Sequence, residues 1–179
     1  MLIGGLLWLS WLGMMAVHEL GHVLNALASG GSVVAVLLDP RQLSQTVVTP
    51  NPHPLFVAWG GVVWGSLLPG LAFWMARRWR LAHLLRFFAG FCAAANGAYL
   101  LVGLATAAGD PADLAGLGVA PVMLVVPGVL LFAVGLGAWH RQGAAFGLGP
   151  TRRPVERGVA AGVFVAALVV TLVELALAR

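Results

Sequence analysis

Charged residues are the scarcest feature of this sequence. Only 9% of its 179 residues are charged, whereas about 25% are charged in a typical soluble domain. Lysine is absent, so all ten basic residues are arginines, and only six residues are acidic. The single cysteine, Cys92, excludes an intrachain disulfide and says nothing about the redox compartment. With a hydrophobic content of 60%, this shortage of charge predicts a membrane protein.

Five apolar segments are long enough to cross a bilayer, which needs about 20 consecutive apolar residues. They are predicted at residues 2–28, 55–76, 87–108, 119–139 and 158–178. We therefore expect an all-α polytopic membrane protein that forms one membrane domain over residues 1–179. Residues 2–115 would form a core of three helices, and residues 119–179 would add two transmembrane helices. The net charge of +4 is expected to meet anionic lipid head groups, not nucleic acid.

The first segment has an alternative interpretation as a secretory signal peptide, because residues 26–28 (Ala-Leu-Ala) have the form of a cleavage site. However, no positive charge precedes the apolar run, and the run contains His18, Glu19 and His22. These features are not those of a signal peptide. A retained transmembrane helix is favoured.

Residues 17–24, VHELGHVL, place two imidazoles and a carboxylate inside this first apolar segment. On a helix, His18 and His22 leave the same face about 6 Å apart, so both can reach one tetrahedral ion. Glu19 can then act as a base toward a water molecule on that ion. Metal binding would also explain why groups that are costly in hydrocarbon occur here. The pattern predicts a zinc site, and the alternative is a degenerate site that has lost its metal or its activity.

A catalytic zinc ion usually has three protein ligands, so a third is expected elsewhere in the chain. Gly109 and Pro111 flank Asp110 and are expected to break the helix, which frees the Asp110 side chain to turn inward. The first and third segments cross the membrane in the same direction, which places Asp110 on the side of the two histidines. Glu156 would lie on the opposite side, and Asp113 is interpreted as a solvated loop or capping residue. Asp110 is therefore the predicted third ligand, with an exposed cap as its alternative role.

These residues resemble the site-2 protease family of intramembrane zinc metalloproteases. The resemblance rests on the motif of residues 18–22 in a membrane helix, on Asp110 after a later helix and, more weakly, on the Gly-rich residues 60–66. Asn96-Gly97 followed by Gly109-Asp110 is similar to the compact branch of the family, which has no PDZ domain. The similarity covers about residues 10–115 and does not include the last two segments.

The resemblance implies that His18, His22 and Asp110 are zinc ligands and that Glu19 is the catalytic base. It implies an intramembrane zinc metalloendopeptidase that cleaves a membrane-spanning or membrane-adjacent segment of another protein. Its partners would be that transmembrane substrate and the lipid bilayer of a bacterial or archaeal cell. Two other functions remain open, a catalytically silent zinc-binding subunit or scaffold on the same fold and a small transporter. The presence of Glu19 and the clustering of polar residues at one side of the membrane favour the enzyme.

Two asparagines in the apolar segments have alternative roles. Asn25 shares the helix face of His18 and His22, so it either orients a ligand or substrate or makes a hydrogen bond between helices. Asn96 lies mid-membrane on the third segment, where it either joins helices or holds substrate backbone. Gly60 and Gly61 are interpreted as positions of close helix packing.

The first loop is expected to contain two short β-rich runs, at residues 32–38 and 45–49, around the turn at Asp39-Pro40. It emerges on the same side as the metal ligands. An exposed edge could pair with an extended substrate by β-addition, and the alternative is a plain lid over the site. His53 is expected in a loop, and His83 and His140 are expected among the arginines on the far side.

The membrane orientation is predicted differently by two criteria. Two arginines, Arg41 and Arg179, lie on the side of the metal ligands, and eight lie on the side of the N-terminus: Arg77, Arg78, Arg80, Arg86, Arg141, Arg152, Arg153 and Arg157. The positive-inside rule therefore predicts a cytoplasmic N-terminus and a metal site nearer the outer face. The family resemblance implies the reverse. The charge rule is favoured, since the loops are short enough to count.

Overall fold

The computed structural model describes residues 2–150 and 154–177 and shows a helical protein with one small β-hairpin. Its helices are α1 (Leu2–Ala28), α2 (Pro54–Ala76), α3 (Ala82–Thr106), α4 (Gly109–Gly116), α5 (Val122–Trp139) and α6 (Arg157–Leu177). Strands β1 (Val33–Leu37) and β2 (Gln45–Val48) lie between α1 and α2, and a short 3-10 helix, Gly143–Phe146, follows α5. The predicted all-α fold with a β-rich first loop is confirmed.

Five of the helices, α1, α2, α3, α5 and α6, are long and apolar enough to cross a membrane. The chain is therefore a multi-pass membrane protein. The predicted boundaries differ slightly from the observed ones. The helix α3 begins at Ala82, before the predicted start of the segment. The prediction omitted this first turn because its polar residues lower the local hydropathy. It ends at Thr106, where Ala107 adopts a left-handed conformation with φ of 52°. Residue 178 of the predicted last segment, together with Arg152, Arg153 and Arg179, lies outside the described residues.

The predicted helix break at Gly109 and Pro111 is only partly right. α3 does end before these residues, but Gly109–Gly116 immediately forms a new short helix, α4. Pro111 lies in its first turn, where the missing backbone N–H would have no partner within the helix. Leu114 of α4 is fully buried against Leu100 and Leu124. This packing fixes α4, and with it Asp110, on the helices beneath.

Glycines allow the helices to approach closely, as expected for membrane packing. A Cβ atom on Gly21 of α1 would lie 2.7 Å from the carbonyl carbon of Gly60 on α2, and one on Gly60 would lie 2.8 Å from that of Gly21. A Cβ on Gly97 of α3 would similarly lie 2.5 Å from the backbone nitrogen of Phe132 on α5. Helices α1 and α2 are thus in backbone contact beside the two histidines.

The hairpin folds back over the end of α1. Its two strands are antiparallel, with Val36 opposite Thr46 and Leu37 opposite Gln45. In the turn, Arg41 donates hydrogen bonds to Asp39 from its side chain at 2.7 and 2.9 Å and from its backbone N–H at 2.9 Å. These bonds lower the pKa of Asp39 to about 2. The Asp39 carboxylate is thus paired within its own turn.

Candidate metal centre

Three side chains from two helices converge at the buried end of α1. Nε2 of His18 lies 2.9 Å from Oδ2 of Asp110, and Nε2 of His22 lies 3.2 Å from the same oxygen. One potential ligand atom from each residue lies within 4.8 Å of the others, so the group could hold a metal ion. The structure therefore brings together the three predicted ligands, although 92 residues separate His18 from Asp110.

The outer ring nitrogens of both histidines are fixed by hydrogen bonds. Nδ2 of Asn96 donates to the backbone carbonyl of Cys92 at 2.9 Å, so Oδ1 of Asn96 is the atom that faces His18. Nδ1 of His18 lies 2.8 Å from that oxygen and must donate to it. Nδ1 of His22 likewise donates to the carbonyl of Val57 at 2.8 Å. Loss of the Nε2 proton would therefore leave Nε2 as the acceptor that points toward Asp110, which is the form in which histidine binds a metal.

The donor set fits a divalent cation. Burial opposes ionisation of Asp110, but its hydrogen bonds with His18 and His22 outweigh burial and hold its pKa well below the usual range. A carboxylate oxygen and an imidazole nitrogen at this distance need a proton or a metal ion between them. Without a metal, a proton on each Nε2 makes these contacts hydrogen bonds, and a divalent cation could take the place of both protons. Two ligand atoms bound to one tetrahedral ion at about 2.0 Å are about 3.3 Å apart, so the 2.9 and 3.2 Å between the nitrogens and the oxygen are compatible with a shared ion.

Gly61 of α2 forms the floor of this group. A Cβ atom at this position would lie 2.5 Å from Nε2 of His22 and 2.7 Å from Cδ2 of His18, and it would also overlap Nε2 of His18. A side chain on Gly61 would therefore displace the nitrogen atoms that could bind an ion. The Gly-rich part of α2, interpreted from sequence as a packing motif, thus also makes room for the metal centre.

Tyr99, the only tyrosine of the chain, attaches α4 to α3. The backbone N–H of Asp110 donates to the Tyr99 hydroxyl oxygen at 2.9 Å, and the Tyr99 ring packs edge-on against His18 with 5.4 Å between ring centroids. The sequence interpretation missed this residue. Its spacing of three from Asn96 was the available signal, because it places both side chains on one face of α3.

The Glu19 carboxylate is buried and bonded to the hairpin. Ser44 Oγ donates to Glu19 Oε1 at 2.7 Å, and Thr46 Oγ1 donates to Glu19 Oε2 at 2.6 Å. Only 2% of Glu19 is exposed. The sequence interpretation missed the role of both hydroxyl residues, of which Thr46 lies in β2 and Ser44 directly precedes the strand.

Two cavities meet at Glu19. The larger has a volume of about 820 Å³ and lies between the metal centre, the hairpin and α4. The smaller, about 360 Å³, lies between α1 and α3 and has an apolar lining that includes Trp11, Met14, Met15 and Val102. Both are lined by His18, Glu19, Leu43, Ser44 and Tyr99.

The side-chain hydrogen bonds of Asn25 go to α2 and not to the two histidines. Its Nδ2 donates to the carbonyl of Phe56 at 2.6 Å, and Nε1 of Trp64 donates to its Oδ1 at 2.9 Å. These bonds join α1 to α2, as in the interhelical alternative. Asn96 orients His18 through the hydrogen bond described above. Substrate binding by either asparagine stays a prediction.

Of the described residues, Asp113, Glu156, His53 and His83 are not part of the three-residue group, although Asp113 lines the same cavity. Asp113 is exposed on α4, and Glu156 forms an ion pair with Arg80. His53 is exposed in the loop before α2, and His83 packs against Phe146 with 5.6 Å between ring centroids.

Comparison of the chain with protein-family models, with curated proteins and with solved structures gives no match. The resemblance to site-2 proteases therefore stays a proposal, and the geometry of the chain's own residues carries the interpretation of the metal centre.

Proposed function

We propose that the chain is an intramembrane zinc metalloendopeptidase that hydrolyses a peptide bond in a membrane-spanning or membrane-adjacent segment of another protein. One observation carries the proposal. Two histidines and an aspartate converge within an apolar helical protein, and the carboxylate of Glu19 lines the same cavity as all three. The combination of a metal-ligand set and an adjacent carboxylate is that of zinc hydrolases.

His18, His22 and Asp110 would hold the ion through Nε2, Nε2 and a carboxylate oxygen. When bound, the ion supplies a Lewis acid that lowers the pKa of a water molecule and polarises the scissile carbonyl group. Zinc suits two imidazoles and one carboxylate. Iron(II) also accepts this donor set, and a measurement of metal content distinguishes the two.

Glu19 would accept a proton from the attacking water and then transfer it to the leaving amide nitrogen. The larger cavity supports this role, because its volume of about 820 Å³ holds substrate atoms and several water molecules beside Glu19. A hydrolase within a membrane needs such a hydrated space. Asn96 and the Val57 carbonyl would keep the two imidazoles oriented while the proton moves.

Strand β2 could bind the substrate. All four of its residues, Gln45–Val48, line the larger cavity, and one edge of the strand is paired with β1. An extended segment of substrate can add to the other edge and present a peptide bond to the metal centre. We propose such a segment of a transmembrane protein as the substrate, in the cell membrane of a bacterium or archaeon.

The test uses purified protein in lipid nanodiscs and a panel of quenched fluorescent single-span peptides. Wild-type protein is expected to contain about one zinc ion per chain and to cleave a member of the panel. Glu19→Gln should retain the zinc and slow cleavage by at least about 100-fold, because general base catalysis contributes 10²–10⁴-fold. Glu156→Gln, the same chemical change at an exposed residue far from the metal centre, is the matched control.

Unchanged cleavage by Glu19→Gln would refute the enzymatic proposal. Stoichiometric zinc in wild-type protein that cleaves no peptide would instead support the alternative, a catalytically silent zinc-binding subunit or scaffold.

A further inference from the structure

Glu19 is 2% exposed and lies in an apolar helix, so bulk solvent contributes little to the solvation of its carboxylate. Each of its oxygens instead accepts one hydroxyl hydrogen bond, from Ser44 at 2.7 Å and from Thr46 at 2.6 Å. Bonds from a hydroxyl to a charged oxygen are short and roughly twice as strong as neutral ones. Both donors lie on the hairpin, 25 and 27 residues after Glu19 in the sequence.

The hairpin backbone holds these two donors in place. Thr46 is paired with Val36 of β1, so its position is fixed by the antiparallel ladder. Ser44 lies directly before β2, and its hydroxyl reaches the other oxygen of the same carboxylate. The two hydroxyls therefore reach the carboxylate together, one on each oxygen.

These bonds leave the carboxylate able to act as a base. An ionised carboxylate has about four acceptor positions, and Ser44 and Thr46 occupy two of them. Each oxygen can still accept a proton from water. The hydroxyls keep their own protons throughout, so they restrict the orientation of Glu19 without entering the reaction.

We infer that Ser44 and Thr46 are positioning residues, which hold the Glu19 carboxylate in the orientation that removes a proton from the attacking water. This inference rests on the proposed hydrolase function. If the inference is correct, the hairpin does more than cover the site. A hairpin that only covered the site would not need the hydroxyl groups of Ser44 and Thr46. Any displacement of β2 also displaces the base.

The kinetic test compares Thr46→Val, which keeps the shape of the side chain, with Thr46→Ser, which keeps the hydroxyl. On a peptide that wild-type protein cleaves, Thr46→Val should lower kcat about 10- to 100-fold, with KM and zinc content unchanged. Thr46→Ser should retain wild-type kcat to within about 3-fold. Ser44→Ala should behave like Thr46→Val.

Two variants control for loss of a hydroxyl as such. Ser32→Ala removes an exposed hydroxyl at the base of the same hairpin, and Thr106→Val removes one at the exposed end of α3. Both should retain wild-type kcat.

A second measurement reports the contact without catalysis. In metal-free protein, amide hydrogen exchange at residues 44–48 should be faster in Glu19→Ala and in Thr46→Val than in wild type, because both remove a bond that holds the strand. Thr46→Ser should exchange at the wild-type rate.

Wild-type kcat in Thr46→Val, with cleavage still dependent on Glu19, would overturn the inference and leave the proposed function intact. A fall in kcat that Thr46→Ser shares, or that accompanies loss of zinc, would also overturn it, since the hydroxyl would then not be the cause. If Thr46→Val does not fold, Ser44→Ala alone is judged by the same criteria. Absence of hydrolysis in wild-type protein would refute the proposed function, and the inference with it.

Discussion

The substitution Gly61→Ala tests the geometry of the metal centre most directly, because it adds one methyl group beside the two imidazoles. The new Cβ would lie 2.5 Å from Nε2 of His22 and 2.7 Å from Cδ2 of His18. An ordinary contact begins at about 3.4 Å, so the imidazoles or α2 must shift by about 0.9 Å. Movement of α2 away from α1 would stretch the hydrogen bonds that join the two helices, from His22 to the Val57 carbonyl and from Asn25 to the Phe56 carbonyl.

The size of the effect follows from the precision of metal coordination. Ligand distances vary by about 0.2 Å in functional sites, so a shift of about 0.9 Å is outside the tolerated range. Loss of the supporting contacts of a ligand alone lowers metal affinity 10- to 100-fold. We therefore expect Gly61→Ala to lower zinc affinity by at least about 100-fold, or about 2.8 kcal/mol of binding free energy.

The assay is competition for zinc between the purified protein and a chromophoric chelator, with helix content followed by circular dichroism. Gly70→Ala is the matched control, because it is the same change in the same helix and its Cβ would meet no atom within 4 Å. Both variants gain the same intrinsic helix propensity, so the difference between them isolates the clash. Wild-type zinc affinity in Gly61→Ala would refute the described arrangement, in which both Nε2 atoms face the ion over Gly61.

Two further predictions concern the third ligand and the membrane orientation. Asp110→Ala should abolish stoichiometric zinc binding. Asp113→Ala should retain it, because Asp113 is exposed and outside the ligand group. Loss of zinc in Asp113→Ala but not in Asp110→Ala would contradict the assignment. For orientation, the exposed positions Gln42 and His140 lie at opposite ends of the helices, so Gln42→Cys and His140→Cys are labelled in a Cys92→Ala background. With a cytoplasmic N-terminus, a reagent outside intact cells should label only Gln42→Cys, and labelling of only His140→Cys would place the metal centre on the cytosolic side.

The membrane spans and the three candidate ligands could be predicted from the sequence. The apolar runs and the spacing of the histidines are local features, and the acidic residues are few. A run of about 20 apolar residues has few other interpretations. The spacing of His18 and His22 depends only on helix geometry. Asp110 followed from counting, since a chain with six acidic residues offers few third ligands.

The rest of the site depends on contacts between distant segments. Ser44 and Thr46 reach Glu19 only because the hairpin folds back over α1, and nothing in their local sequence reports that fold. Gly61 is equivalent to Gly60 in sequence but lies under the imidazoles because of how α2 is rotated against α1. The short helix α4 was not predicted, because Gly109 and Pro111 are residues that usually end a helix. In the structure a new helix forms at Gly109–Gly116, and burial of Leu114 stabilises it.

The two cavities that meet at Glu19 place surfaces of different polarity on the two sides of one turn of α1. The lining of the larger cavity contains polar and apolar groups in similar proportion, whereas that of the smaller is almost entirely apolar and includes Trp11 and Met14. A hydrocarbon chain in the smaller cavity would lower the local dielectric constant beside His18 and Glu19 and strengthen every charge interaction there. Zinc affinity and rate measured in micelles should therefore vary with the alkyl chain length of the detergent, even when the head group is kept constant.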